Sequence, residues 1–266
     1  MADDEPRPPA LMKILSIQSA VAYGHVGNSA AVFPLQRIGV EVLPVYTVNF
    51  SNHTGYGAWR GPLISPADVA EVLTGIEERG VFPQIDAVLS GYQGSEGIGD
   101  VILDAVARVK AANPAAVYAC DPVMGNAKSG CFVAPAIPVL LRERVVPAAD
   151  IITPNQFELE QLTGLEVHSI EDAFRAMDAL HALGPRTVIV SSLFLPGKDG
   201  AVVIAGSTLD EQEEGGSRQF CIEVPKLDGY YTGTGDLFAA LTLAWMHRLP
   251  GQTRSAVRSV VSTVQA

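Results

Sequence analysis

Cysteine is scarce in this 266-residue chain: Cys120, Cys131 and Cys221 are an odd number with no metal-site spacing. That excludes a disulfide framework and points to free thiols in a reducing compartment. Positive charge is scarce as well. Lys and Arg number 18 against 29 Asp and Glu, a formal net charge of −11. Nucleic acid is therefore excluded as the main partner, because a phosphate backbone requires clustered Lys and Arg. A nucleotide ligand needs only a local positive field and remains open. No window is long and apolar enough to span a bilayer. Residues 1–10 are acidic and proline-bearing, without the apolar centre of a signal peptide. The expected location is the cytoplasm, with no membrane partner. Internal repeats, charge blocks and linkers are missing too, so residues 1–12 read as a flexible tail and 13–266 as one domain.

What is present is apolar material, 48% of the chain, enough for a sizeable core. It falls into alternating strand and helix patterns. Strands are predicted over 13–18, 41–48, 86–90, 116–120, 150–153, 187–191, 201–205 and 220–224. Helices are predicted over 26–39, from Ser65-Pro66 to 78, 99–112, 155–162, from Ser169 to 183, and over 252–264. Strands separated by helices imply a largely parallel sheet covered on both faces. Residues 209–216 read as a solvated acidic hairpin tip. His168, His181 and His247 read as surface residues, and Met12, Met177 and Met246 as packing.

Ligands gather at the carboxyl ends of the strands in such a sheet. Polar and glycine residues recur at six successive ends. They are Ser19 with the turn Tyr23 to Asn28, the run Asn49 to Tyr56, Gly91-Tyr92, Asp121 to Gly125, Thr153-Pro154-Asn155, and Ser191-Ser192. Each alone is ordinary turn chemistry; their common edge is not.

Gly233-Thr234-Gly235-Asp236 runs straight into the apolar stretch Leu237 to Trp245. Two glycines can take positive φ, and a helix starting there directs its free N–H groups and positive dipole end into one space. That makes an anion hole suited to a phosphate, with Asp236 placed as a base for an attacking hydroxyl. A plain turn with an Asp cap fits the same four residues. Asn155-Gln156-Phe157-Glu158 puts an amide and a carboxylate on one helix face. Such a carboxylate can hold Mg²⁺ through water; an N-cap with Glu158 favouring the dipole fits equally.

Together these segments resemble the pyridoxal kinases of the ribokinase-like superfamily. The resemblance rests on Ser16-Ile17-Gln18-Ser19, Phe50 to Tyr56, Cys120 to Gly125, Asp150 to Glu158 and Gly233 to Asp236, in order from about Lys13 to the end. The Gly-Thr-Gly-Asp and Asn-x-x-Glu elements are shared across the superfamily, whereas the Ser-Asn-His-Thr-Gly-Tyr run is specific to the pyridoxal branch. The implied fold is a three-layer α/β/α sandwich with a central, mostly parallel sheet. The implied reaction is phosphorylation of the pyridoxal 5′-hydroxyl by ATP, with Mg²⁺ and a monovalent cation, K⁺ or Na⁺, in a homodimer. Asp236 would take the hydroxyl proton, and the amides of Gly233, Thr234 and Gly235 would stabilise the phosphoryl group. Asp121 and Glu158 would organise the metal, Asn155 would contact phosphate, and Thr153 and Ser192 would line the nucleotide channel. Ser19, Thr54 and Tyr92 would hold the pyridine ring between Val26, Phe50 and His53, the last as a pocket residue rather than a titrating one.

Residues 126–131 form a small polar loop suited to a mobile lid. In it, Lys128 is placed to touch phosphate, and Cys131 either approaches the substrate aldehyde or is an inert loop cysteine. The lid is similar to the bacterial type, while 153–158 and 233–236 are similar to the eukaryotic type. Ala20 stands where the family usually carries His, and the chain ends soon after its last helix, where relatives usually continue. Two alternatives are a hydroxymethylpyrimidine kinase, against which the Phe50 to Tyr56 run argues, and a non-catalytic vitamin-binding relative, against which the intact Asp236, Glu158 and glycines argue.

Overall fold

The computed structural model describes residues 11–210, 218–229 and 231–265. The proposed tail, up to residue 10, and residues 211–216 of the expected hairpin tip lie outside the described residues. The first half forms β1 (Lys13–Tyr23), α1 (Asn28–Arg37), β2 (Glu41–Asn52), α2 (Pro66–Glu78), β3 (Ala87–Ser90), α3 (Glu96–Ala112) and β4 (Val117–Cys120). A small ribbon of β5 (Gly125–Asn126) and β6 (Gly130–Cys131) follows, then α4 (Ile137–Leu140), a π-helical turn (Leu141–Val145) and α5 (Val146–Ala148). The remainder is β7 (Ile151–Ile152), α6 (Gln156–Thr163), α7 (Ile170–Leu183), β8 (Thr187–Leu193), β9 (Ala201–Thr208), β10 (Gln219–Pro225), α8 (Thr234–Arg248) and α9 (Thr253–Val264).

The larger sheet has eight strands in the order β2-β1-β3-β4-β7-β8-β9-β10. It is parallel from β2 through β8. The last two strands depart from the predicted parallel pattern. Among the described residues no helix separates β8, β9 and β10, and short connections allow only antiparallel pairing, which is what both joints show. Winding reverses between β1 and β3, and this reversal opens a crevice at the carboxyl ends of the strands.

Period-two alternation divides the core into two layers. Leu15, Ile17, Val88, Tyr118, Ile152 and Val188 meet α2, α3, α6 and α7 on one face. Ile14, Ala87, Leu89, Ala119 and Ile151 meet α1 and α8 on the other. There Ile189, Ile204 and Phe220 continue beneath α8 and α9. The result is three layers, helices over sheet over helices.

Local chemistry sets the helix starts. Ser65 caps α2 by accepting from the Asp68 N–H at 3.1 Å, and Ser169 caps α7 from the Asp172 N–H at 3.1 Å. β1 and β2 run beyond their predicted ends, to Tyr23 and Asn52, because the parallel ladder resumes after a register shift and pairs Ala20 with Asn49, Val21 with Phe50 and Tyr23 with Asn52. His181 corrects its surface reading. It is half-buried, with Nδ1 2.7 Å from the Pro185 carbonyl and Nε2 2.9 Å from Ser207 Oγ, and so ties α7 to β9.

Aspartates fix the edge opposite the crevice. Asp86 Oδ2 accepts from the Lys13 N–H at 2.7 Å, and Asp150 Oδ2 from the Tyr118 N–H at 2.7 Å and Lys110 Nζ at 2.6 Å. Each carboxylate satisfies a strand N–H that the ladder leaves free. Asp150→Ala should destabilise the fold by about 1–3 kcal/mol in urea unfolding, the usual cost of orphaning such a group. Turnover should be unchanged, because the edge lies across the sheet from the crevice.

Candidate active site

The crevice is a cavity of about 940 Å³, and all six predicted strand ends contribute to its wall. Two sheet irregularities aim side chains into it. β1 shifts register against β2 between Gln18 and Ala20, which brings Ser19 to the wall. β8 shifts against β9 between Val190 and Leu193, which does the same for Ser191 and Ser192. Such bulges re-aim a side chain without ending the sheet.

At one end Val21, Val26, Val48 and Phe50 are buried together against Tyr92, whose phenol burial pushes up in pKa. His53 and Thr54 flank this apolar floor. His53 Nδ1 accepts from the Gly55 N–H at 3.1 Å, which leaves its proton on Nε2, and burial lowers its pKa. Phe132, just past β6, meets the His53 ring edge to face with centroids 6.4 Å apart. Tyr56 Oη lies 3.2 Å from Thr232 Oγ1, so two contacts bridge the flanks of the cavity.

At the centre stands the start of α8. Gly233 is its N-cap with φ 81° and ψ 0°, and an added Cβ would lie 1.7 Å from the His25 carbonyl oxygen. Only glycine fits there. The expectation of positive φ at both glycines holds for Gly233 alone. Gly235 is helical, and its missing Cβ leaves open space instead. The first intrahelical bond runs from the Leu237 N–H to the Gly233 carbonyl at 2.9 Å. The N–H groups of Thr234 and Gly235 thus face the cavity without a helical acceptor. The N–H groups of Gly27 and of its own residue are directed at the half-buried Asp236 carboxylate and favour its charged form. Burial nevertheless outweighs these donors and raises its pKa to about 6.

Two further carboxyls face Asp236. Asp121, 5% exposed, follows β4, and its pKa is raised well above the ordinary range by burial and by the charges of Glu158 and Asp236. Glu158 is 4% exposed and completes a capping box: Oε2 accepts from the Asn155 N–H at 2.9 Å, and Asn155 Oδ1 from the Glu158 N–H at 3.0 Å. Oε1 also accepts from the Met124 N–H at 3.0 Å. The Gly125 N–H adds a longer contact at 3.5 Å, and burial pushes Glu158 to about 7 against these three donors. Asn155 Nδ2 donates to the Gly125 carbonyl at 2.8 Å, which docks α6 onto the β5–β6 ribbon.

No three His, Cys, Asp or Glu side chains converge as a ready-made metal cage among the described residues. The donor set still fits Mg²⁺. Mg²⁺ takes few protein oxygens and leaves the rest of its shell to water and phosphate, and Asp121 has a buried, repelled carboxyl with no hydrogen-bond donor. Thr153 Oγ1 is buried beside it without a partner, another group suited to a ligand.

A family model described as phosphomethylpyrimidine kinase matches residues 73–265. The chain is 64% identical over 253 residues to pyridoxal kinase PdxY of Leifsonia xyli subsp. xyli, covering 95% of this chain and 87% of that protein. It is 44% identical over 260 residues to pyridoxal kinase of Sus scrofa, covering 95% and 80%. The chain belongs to the pyridoxal kinase family. A solved pyridoxal kinase from Leishmania donovani, in complex with ADP and pyridoxamine, superposes with a TM-score of 0.87 at 32% identity, covering 95% of this chain and 88% of that one. The fold is that of the ribokinase-like superfamily.

Against this family background, the structure gathers every site residue expected from sequence around the cavity except one. Cys131 is exposed and does not line it. It pairs with Gly125 in the ribbon, while Lys128 at the ribbon's tip lines the wall. Residues 126–131 are therefore a short antiparallel hairpin rather than an irregular loop. The family's usual His position, here Ala20, also lies outside the lining. Sequence reading missed the far end of the cavity, an apolar slot of Val202, Ile204, Val224, Phe238, Val261 and Val264. Alternating strands and a helix stripe look the same whether they face core or ligand, so no signal marked it.

The carboxyl cluster has a stability consequence. Glu158 binds a proton more tightly folded (about 7) than at its ordinary 4.5. The folded state therefore holds more protons in that window, and the cluster's contribution falls as pH rises from about 4.5 to about 7. Asp121→Asn should raise the ligand-free melting temperature, with a gap over wild type that widens across this range in pH-resolved thermal shift. A variant melting lower at every pH would contradict the mutual repulsion.

Proposed function

We propose that this protein transfers the γ-phosphoryl group of ATP to the 5′-hydroxyl of pyridoxal, and of pyridoxine and pyridoxamine, to give 5′-phosphates for vitamin B6 salvage. The observation that carries this reading is the Asp236 carboxylate at the mouth of a glycine-capped helix, between an apolar ring pocket and an open slot.

The flat ring lies on the floor of Val26 and Phe50, with Ser19, Thr54, His53 and Tyr92 supplying the directional contacts. The adenine fits the slot of β9, β10, α8 and α9, and the triphosphate passes Thr153, Asn155 and Ser192. Asp236 accepts the hydroxyl proton as the alkoxide oxygen bonds to the γ-phosphorus and the bond to the bridging oxygen of ADP breaks. The N–H groups of Thr234 and Gly235 stabilise charge on the phosphoryl oxygens, with Gly233 fixing their direction. Mg²⁺, when bound, would be held by Asp121 and Glu158 and would neutralise phosphate charge. Lys128 on the hairpin tip reaches the phosphates and helps exclude water. A monovalent cation, K⁺ or Na⁺, near the nucleotide, a homodimeric assembly, a cytoplasmic location and a single domain over 13–266 complete the proposal.

The reading is tested by coupled assay with MgATP and each alcohol. Pyridoxal should be phosphorylated, and Asp236→Asn should lower kcat by about 10²–10⁴-fold, the usual worth of a positioned base. Hydroxymethylpyrimidine is the second alcohol to test, since the matching family model bears a pyrimidine kinase's description. Equal turnover of it would favour that alternative, and vitamer binding without product would favour a non-catalytic role. A base with a pKa of about 6 is protonated below that value. The rate should therefore fall on the acid side of about pH 6, and a flat profile down to pH 5 would count against Asp236 as the base.

A further inference from the structure

The turn between β1 and α1 lies against the start of α8 more closely than a connection requires. Asn28, 2% exposed, is hydrogen-bonded on both sides of its amide. Its Oδ1 accepts from Ser16 Oγ at 2.7 Å, and its Nδ2 donates to the carbonyls of Ser16 at 3.2 Å and Val45 at 3.0 Å. One side chain thus fastens the turn to both β1 and β2. Gln18 Nε2 donates to the same Ser16 Oγ at 2.9 Å, so the anchor is itself braced. A fully bonded buried amide holds one geometry, because any movement orphans several groups together.

Gly27, next to this anchor, has φ 54° and ψ −131°, and an added Cβ would sit 2.3 Å from the carbonyl oxygen and from Oγ of Ser19. Its N–H is directed at the Asp236 carboxylate and favours the charged form. Two residues earlier, the His25 carbonyl fills the space beside Gly233. The turn therefore grips the phosphoryl-transfer loop at two points, the glycine that caps α8 and the carboxylate itself.

We propose that Gly27 and Asn28 are positioning residues for phosphoryl transfer, Gly27 by holding the Asp236 carboxylate through its backbone N–H and Asn28 by holding Gly27 to the sheet. This rests on Asp236 being the base. The arrangement answers a specific need. Asp236 shares the cavity with the carboxyls of Asp121 and Glu158, and like charges in one buried space repel. An N–H on rigid backbone supplies a fixed counterweight without adding a positive side chain that would compete for phosphate. Because Ser19 touches the same glycine, the strand that holds the vitamer also sets the base, so the hydroxyl and its acceptor share one frame.

A double-mutant cycle tests this. Asn28→Ala and Gly27→Ala are each made in wild type and in Asp236→Ala, and single-turnover phosphorylation of pyridoxal is measured at saturating MgATP, with ADP affinity as a check on the fold. In wild type each substitution should slow transfer by about 10–100-fold, the scale of a misplaced catalytic group, with ADP affinity within about twofold. In the Asp236→Ala background each should cost less than about twofold, since no carboxylate remains to be positioned. The same loss in both backgrounds would overturn the proposal and leave the turn a structural element only. Should Gly27→Ala fail to fold, Asn28→Ala, which puts no side chain at a positive-φ position, carries the cycle. If Asp236→Ala itself retains near wild-type turnover, the base assignment fails instead.

Discussion

Three carboxyl groups sharing one sheltered space are the constraint from which the rest of this site follows. Asp121, Glu158 and Asp236 each have their proton affinity raised by burial, and the first two are raised further by their neighbours' charge. Negative charge in low dielectric is costly unless donors or cations answer it. The chain answers Glu158 with the N–H groups of Asn155, Met124 and Gly125, and Asp236 with those of Gly27 and its own residue. Asp121 has no such donor, and it is the member with the largest unmet demand for a cation. A site at odds with itself when empty is suited to a ligand that brings positive charge, and the ligand-free fold bears the difference in its stability.

Backbone N–H groups do nearly all the electrostatic work here. The chain is acidic overall and carries few cations near the cavity, yet the start of α8 and the turn before α1 both direct N–H groups inward. A donor built into a helix start or a tight turn needs no side-chain ordering when substrate arrives. It also leaves the cavity's walls free to be apolar, which the pyridine ring and adenine both require.

Much of this was legible from the residues in order. The six strand ends fall on one wall because parallel strands joined by helices must all point the same way, and Gly233-Thr234-Gly235-Asp236 opens α8 as its glycine and apolar run imply. The Asn155 and Glu158 spacing left two physical readings open, cap or metal side, and the capping box shows that the first is real without displacing the second. What stayed hidden depends on three-dimensional register. Nothing local marks the bulges that turn Ser19 and Ser192 inward, nor the antiparallel β9–β10 pair whose apolar residues line the slot. Cys131 left two readings open, near the substrate or inert in its loop, and strand pairing in the ribbon sets it outside the cavity, in line with the second. Gly27 fell within the turn from Tyr23 to Asn28 that the sequence singles out, but its contribution is a backbone N–H, which no residue type announces.

The dual duty of Glu158 bears on how such a site can change over evolutionary time. Its carboxylate closes the first turn of α6 and binds the chain beside Met124, so drift at this position is punished by local unravelling before any change in chemistry could be selected.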